Sequence, residues 1–233
     1  MVENVRSLDS SRPVTAALAG AVMSNETDYP FVLDIVGYNY SEFQYEADHR
    51  KYPKRVMFGS ETNNSFASWK ATRDNDYIFG QFLWTGIDYL GESREWPSRG
   101  YKHGLLDLAG FQKPEGFFRQ AMWDDNPFTY IGTYNPDHSP DQSVNALPIW
   151  NYQSGEVIRV VCYTNCQRAQ LLLNGKMIGH MKEYNDSTGF ITWNIPFKAG
   201  TLEVIGVNGN KEVSRYTLKT SDRPFRIIAD SDD

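Results

Sequence analysis

The chain has 233 residues, of which 40% are hydrophobic, and a formal net charge of −6. That length suits one large domain or two ordinary ones, and the apolar content excludes wholesale disorder. Lys and Arg form no basic stripe, which argues against a nucleic-acid partner, and no apolar run reaches the length of a membrane span.

In chain order, Val2 to Leu8 reads as the end of a helix. The start, Met1 to Arg6, has no basic segment leading into an apolar run, so no signal peptide is visible. Short apolar segments follow at Pro13–Leu18, Asp34–Tyr40, Arg55–Glu61 and Phe79–Ile87. Between them lie weaker helical patterns, at Glu46–Tyr52 and Ser65–Asp76. Continuously apolar strands separated by helical segments indicate a parallel sheet covered on both faces. Pro114 to Trp123 opens with a proline suited to a first helical turn.

From about Asn126 the pattern changes. Residues 133–156 are rich in Pro, Asn, Asp, Ser and Gly, as expected of a linker or long loop. Strand patterns then recur at Val157–Thr164, Ala169–Leu173, Met177–Lys182, Phe190–Phe197, Thr201–Val207 and Val213–Lys219. Asn174-Gly175 joins two of them as a tight hairpin, and Asn208-Gly209 marks a second turn. Such spacing predicts a small antiparallel sandwich. Pro224 to Ile228 reads as the start of a further strand, so both ends look cut inside larger structures. The expected division is residues 1–132, a linker or loop at 133–156, a sandwich at 157–220, and the start of a further domain or tail at 221–233.

Cys162 and Cys166, with no clustered His, make a poor zinc signal, and the four histidines show no metal spacing. No metal or other cofactor is called for.

Parallel strands with helical connections present their C-terminal ends to one face, where active sites collect in barrels. Here those ends carry Asn39 and Tyr40, then Glu61, then Trp84 and Asp88. A carboxylate, a phenol and an indole around one mouth suit a sugar site. Strict alternation puts Glu61 on one face with Met57 and Gly59, Tyr40 with Val36 and Tyr38, and Trp84 with Gly80 and Phe82. From chemistry alone, Glu61 fits equally well as a surface glutamate near a helix start.

These segments resemble glycoside hydrolase family 2, the β-galactosidase and β-glucuronidase group. Arg6–Ala17 is similar to its helix into strand five and Asp34–Tyr40 to strand six. Phe58–Thr62 is similar to strand seven, which carries the nucleophile, and Gly80–Glu92 to strand eight. Leu147–Tyr152 and Ala169–Lys176 resemble the immunoglobulin-like domain that follows the barrel. The resemblance implies an α/β plus all-β chain: the C-terminal half of a TIM (β/α)8 barrel, then an immunoglobulin-like β-sandwich. It also implies hydrolysis of terminal β-glycosidic bonds, most often β-galactosides, by retaining double displacement. Glu61 would be the nucleophile and Tyr40 would orient it. Trp84 would line the sugar pocket, with Asn39 and Asp88 as weaker substrate contacts. The implied partners are a carbohydrate substrate and the N-terminal barrel half and sandwich domains of a parent chain, periplasmic or extracellular in a bacterium. Four strands of an open barrel also leave edges that favour association, including homo-oligomers.

Retaining glycosidases use two carboxyl groups about 5–5.5 Å apart. In this family the acid/base is the Glu of an Asn-Glu pair ending strand four, which the chain is expected to lack. Asn25-Glu26 is the right dipeptide in the wrong place, a polar loop after the fifth-strand segment. Glu42, Glu46 and Glu92 match no motif. The expectation is a chain inactive by itself; the alternative is a non-catalytic carbohydrate-binding or structural fragment.

Overall fold

The computed structural model describes residues 1–222. The strand expected at Pro224–Ile228 lies outside the described residues. Contacts divide the chain into two units, Met1–Phe111 and Gln112–Asp233. Among the described residues no helix is long and apolar enough to cross a membrane.

The first unit runs α1 (Val2–Leu8), β1 (Thr15–Leu18), α2 (Ala21–Ser24), α3 (Tyr29–Val32), β2 (Ile35–Asn39), a 3-10 turn (Glu42–Gln44), α4 (Tyr45–Lys51), β3 (Met57–Thr62), α5 (Phe66–Arg73), β4 (Ile78–Leu83), β5 (Tyr89–Leu90) and β6 (Gly100–Tyr101). β1 to β4 form one sheet in sequence order, with every neighbouring pair parallel. Helices supply the crossovers that parallel pairing requires. α5 starts where Ser65 Oγ accepts the Ser68 N–H at 3.1 Å, satisfying a free donor of the first turn. Leu18, Val36, Tyr38, Met57 and Ile78 from the strands pack with Val2, Ala21 and Tyr45 from the helices into one core.

This core corrects the facing expected from strict alternation. Met57 is fully buried in it, and a Cβ added at Gly59 would lie 2.8 Å from the Tyr45 hydroxyl and 2.6 Å from Thr62 Cγ2. Met57, Gly59 and Thr62 therefore face the helices. The register slips here: Tyr38 pairs with Gly59 but Asn39 with Glu61, leaving Ser60 as an extra residue. This β-bulge turns Glu61 to the face opposite Thr62. Phe58 lies on that other face, with its ring 5.2 Å from Phe79 and 5.8 Å from Phe82. Tyr40 likewise leaves the Val36 and Tyr38 face, because its backbone takes φ +48° directly after the strand.

The second unit contains α6 (Pro114–Trp123), β7 (Thr129–Tyr134), β8 (Val157–Thr164), β9 (Arg168–Leu173), β10 (Lys176–Met177), β11 (Lys182–Glu183), β12 (Ile191–Pro196), β13 (Thr201–Asn208) and β14 (Lys211–Lys219). One sheet has the order β10-β9-β13-β14, with β11 also pairing β9; the other is β12-β8-β7. Ile131, Ile158, Val160, Leu171, Leu202 and Trp193, drawn from both sheets, share a single core with Trp150. The expected boundary at residue 132 falls inside β7, which is buried along its whole length and pairs with β8 from Thr129 to Tyr134. The expected linker is also tied in. Thr133 N–H donates to the Leu147 carbonyl at 2.8 Å, and Trp150 is 1% exposed with its indole N–H on the Lys198 carbonyl. Its Pro and Asn content accords with the loop alternative, an irregular segment anchored at Leu147 and Trp150.

Candidate functional site

The C-terminal edge of the parallel sheet gathers the residues expected there. Past the end of β2, Tyr40 N–H donates to the Glu61 carbonyl at 2.8 Å; past β4, Trp84 N–H donates to the Thr62 carbonyl at 2.8 Å. The ladder therefore holds residues 40, 61 and 84 on adjacent strand ends.

Asn39, Tyr40 and Glu61 come together through their side chains as well. The Tyr40 phenol donates to the Glu61 carboxylate, and Asn39 Nδ2 reaches Glu61 Oε2 at 3.4 Å. Desolvation of the phenol, and then that bond to Glu61, hold Tyr40 protonated well above the usual tyrosine range. All three line an open cavity of about 450 Å³, together with Ala21, Met23 and Phe43. Glu61 is half-buried on the wall of this cavity, whose volume falls in the range of small-molecule sites.

Trp84 stands one strand further along. Its indole N–H donates to the Tyr89 phenol, and the two rings meet edge to face at 6.1 Å. Tyr89 also donates to Glu92, which pushes its phenol up to about 12. Asp88 Oδ1 accepts the Gly104 N–H at 2.8 Å, a bond that shapes the loop.

Sequence reasoning missed the aromatic row that continues from Trp84: Tyr89 to Tyr101 at 5.6 Å, and Tyr101 to His103 at 4.3 Å. β5 and β6 pair antiparallel and bring these rings together. Tyr101 is close enough to Tyr40 to help keep that phenol protonated. The only sequence signal was a Pro- and Gly-containing turn between the tyrosines, Pro97 to Gly100.

Glu46 pairs with Arg50. Asn25, beside the exposed Glu26, gives its carboxamide to Asp48 and Arg55. Glu42 follows Tyr40, and its Oε1 is buried without a hydrogen-bond partner among the described residues. Among those residues no cluster of three His, Cys, Asp or Glu is placed to hold a metal ion.

Residues 155–214 match a family model described as a domain of unknown function, DUF4982. The chain is 28% identical to β-galactosidase BoGH2A of Bacteroides ovatus over 97% of its own length and 31% of that protein. It is 31% identical to a putative β-glucuronidase of Formosa agariphila, over 68% of its length and 15% of that protein. A solved glycosyl hydrolase family 2 member from Bacteroides cellulosilyticus superposes with a TM-score of 0.85 at 30% identity, covering 95% of this chain and 32% of that one. The chain thus spans about a third or less of the length of these relatives. By this likeness along nearly its whole length, the chain belongs to glycoside hydrolase family 2.

Proposed function

We propose that this chain is the nucleophile-bearing part of a retaining β-glycosidase acting on terminal β-galactosides. Glu61 attacks the anomeric carbon to form a glycosyl-enzyme, Tyr40 orients it, and Trp84 offers an apolar face to the sugar. Asn39 is a second donor to Glu61, and Asp88 shapes the adjoining loop. The observation that carries this reading is the Tyr40 phenol donating to the Glu61 carboxylate on the wall of an open cavity, at the C-terminal edge of parallel strands.

On this reading β1 to β4 are the last four strands of a (β/α)8 barrel, and the two antiparallel sheets of the second unit are an immunoglobulin-like domain. Phe79 and Phe82, 61% and 65% exposed, lie on the face that the remaining strands would cover. The acid/base that protonates the leaving oxygen belongs to those strands, so the chain alone turns over negligibly; losing general acid catalysis costs about 10²–10⁴ in rate. The galactoside assignment follows the relative matched over 97% of the chain.

The test is covalent trapping. A 2-deoxy-2-fluoro-β-galactosyl fluoride should label the full-length polypeptide containing these residues, with the adduct on the Glu61 peptide and none in Glu61→Gln. An adduct on a different carboxylate rules out the nucleophile assignment. Labelling by a fluoroglucuronide instead moves the substrate class and leaves the mechanism standing.

A further inference from the structure

Asn39 can present either end of its carboxamide to Glu61, and only one end helps. A carboxylate is acceptor-only, so the NH2 must face it and the amide oxygen must find a donor elsewhere. That donor is Ser60, whose hydroxyl donates to Asn39 Oδ1 at 2.8 Å. Ser60 is also the extra residue of the β3 bulge, the reason its side chain lands beside Asn39 instead of alternating away.

The seat for Ser60 is built. A Cβ at Gly37 would lie 2.5 Å from Ser60 Oγ and 2.6 Å from its Cβ, so the hydroxymethyl group occupies the space that glycine leaves open on β2. Ser60 and Asn39 are both half-buried, which limits replacement of their bond by water. The backbone of Asn39 is held too, by Ser41 Oγ donating to its carbonyl at 2.9 Å. Both neighbours leave the amide little freedom to turn.

Resting on the nucleophile reading above, we infer that Ser60 is a positioning residue, seated over Gly37 so that the Asn39 amide NH2 points at Glu61. Tyr40 and Asn39 then clamp the carboxylate from two directions, which fixes its side-chain rotamer before sugar arrives. Ser60 touches neither substrate nor the attacking oxygen, and acts only through Asn39.

The test is a double-mutant cycle on the full-length polypeptide, read as the rate and concentration dependence of inactivation by the fluoroglycoside. Ser60→Ala should slow the limiting inactivation rate roughly three- to tenfold, the size of one net hydrogen bond, with the half-saturating concentration unchanged. In an Asn39→Ala background, Ser60→Ala should add nothing. Equal losses in both backgrounds, or a wild-type rate in Ser60→Ala, overturn the positioning role while Glu61 remains the labelled residue. Failure of the wild-type protein to label at Glu61 overturns the nucleophile reading itself, and the role of Ser60 with it.

Discussion

Tyr40 and Glu61 are joined twice: the Tyr40 N–H donates to the Glu61 carbonyl at 2.8 Å, and the Tyr40 phenol donates to the Glu61 carboxylate. The first bond extends the parallel ladder one residue past β2, and φ +48° at Tyr40 swings its ring to the second partner. Backbone and side chain thus fix the same pair. Tyr40→Phe keeps the ring and the ladder and removes only the donor. A hydrogen bond to a charged group contributes about 1.5–3 kcal/mol, so the rate of fluoroglycoside labelling should fall roughly 10- to 150-fold with an unchanged melting temperature. A wild-type labelling rate in that variant would remove Tyr40 from the mechanism.

The buried phenols set the alkaline limit of the fold. Burial holds Tyr38, Tyr45 and Tyr130 protonated well above their ordinary value of 10.0, and for Tyr38 the bond to Asp48 acts in the same direction. The folded values lie above the unfolded ones. Their contribution to stability is therefore complete below about pH 10 and is lost as pH rises from there through the folded values. Tyrosinate absorbance of the native protein should lag that of the urea-unfolded chain from about pH 10 upward. Matching titration curves would mean that these rings are not buried as described.

Much of the strand pattern was readable in advance, because alternation and turn residues report local geometry directly. Val157–Thr164 is the same segment in both readings, and Asn174-Gly175 takes φ +52° and +75°, as a two-residue hairpin requires. Glu61, Tyr40 and Asn39 could be nominated from strand ends. Their facing could not, because it depends on the bulge at Ser60 and the positive φ at Tyr40, and neither leaves a mark in the residue types. β7 escaped notice for another reason. Its TYIGTY sequence is buried on both faces and shows no alternation, and it adjoins a polar stretch that reads as loop. The part played by Tyr101 depends on a hairpin folding back toward Tyr40, a long-range event that no local pattern specifies.

The first unit contains a buried ion pair that should behave asymmetrically on mutation. Arg55 Nη1 lies 3.2 Å from Asp48 Oδ2, with both side chains 5% exposed. Tyr38 Oη also donates to Asp48 at 2.7 Å, and the guanidinium stacks over Tyr52 at 4.0 Å. Asp48→Ala strands the guanidinium and should cost about 3–5 kcal/mol. Replacing both partners, as Asp48→Leu with Arg55→Met, removes the charge with its counter-charge and should cost less than the single change. Urea midpoints at unchanged slope would measure this. A double variant weaker than Asp48→Ala would show that the pair contributes net stability beyond its own desolvation.

Cys162 and Cys166 are both buried as free thiols, and burial pushes the Cys162 thiol well up from its ordinary value. The reactive species is the thiolate, so a buried, protonated thiol is inert. A colourless thiol reagent that becomes coloured on reaction should stay unreacted with the native protein at neutral pH and titrate both groups on unfolding. Rapid reaction of the native protein would place at least one sulfur at the surface.

Asn174 bears a larger share of the hairpin than its turn geometry alone requires. Its backbone sits at φ +52°, its Oδ1 accepts the Thr201 N–H at 2.8 Å, and its Nδ2 donates to the Ala199 carbonyl at 3.1 Å. The side chain thereby ties the β9–β10 turn to the start of β13. Asn174→Gly keeps the left-handed backbone and loses both bonds, about 1–2 kcal/mol in all. Asn174→Ala loses the same bonds but keeps a Cβ in the left-handed region, without the short polar side chain that lets asparagine adopt it, and so falls about 1–2 kcal/mol below the glycine variant. The expected order of stability is wild type, then glycine, then alanine, read by tryptophan fluorescence as the second unit unfolds. If the glycine variant matches wild type, the bonds to Thr201 and Ala199 contribute nothing and the turn is held by conformation alone.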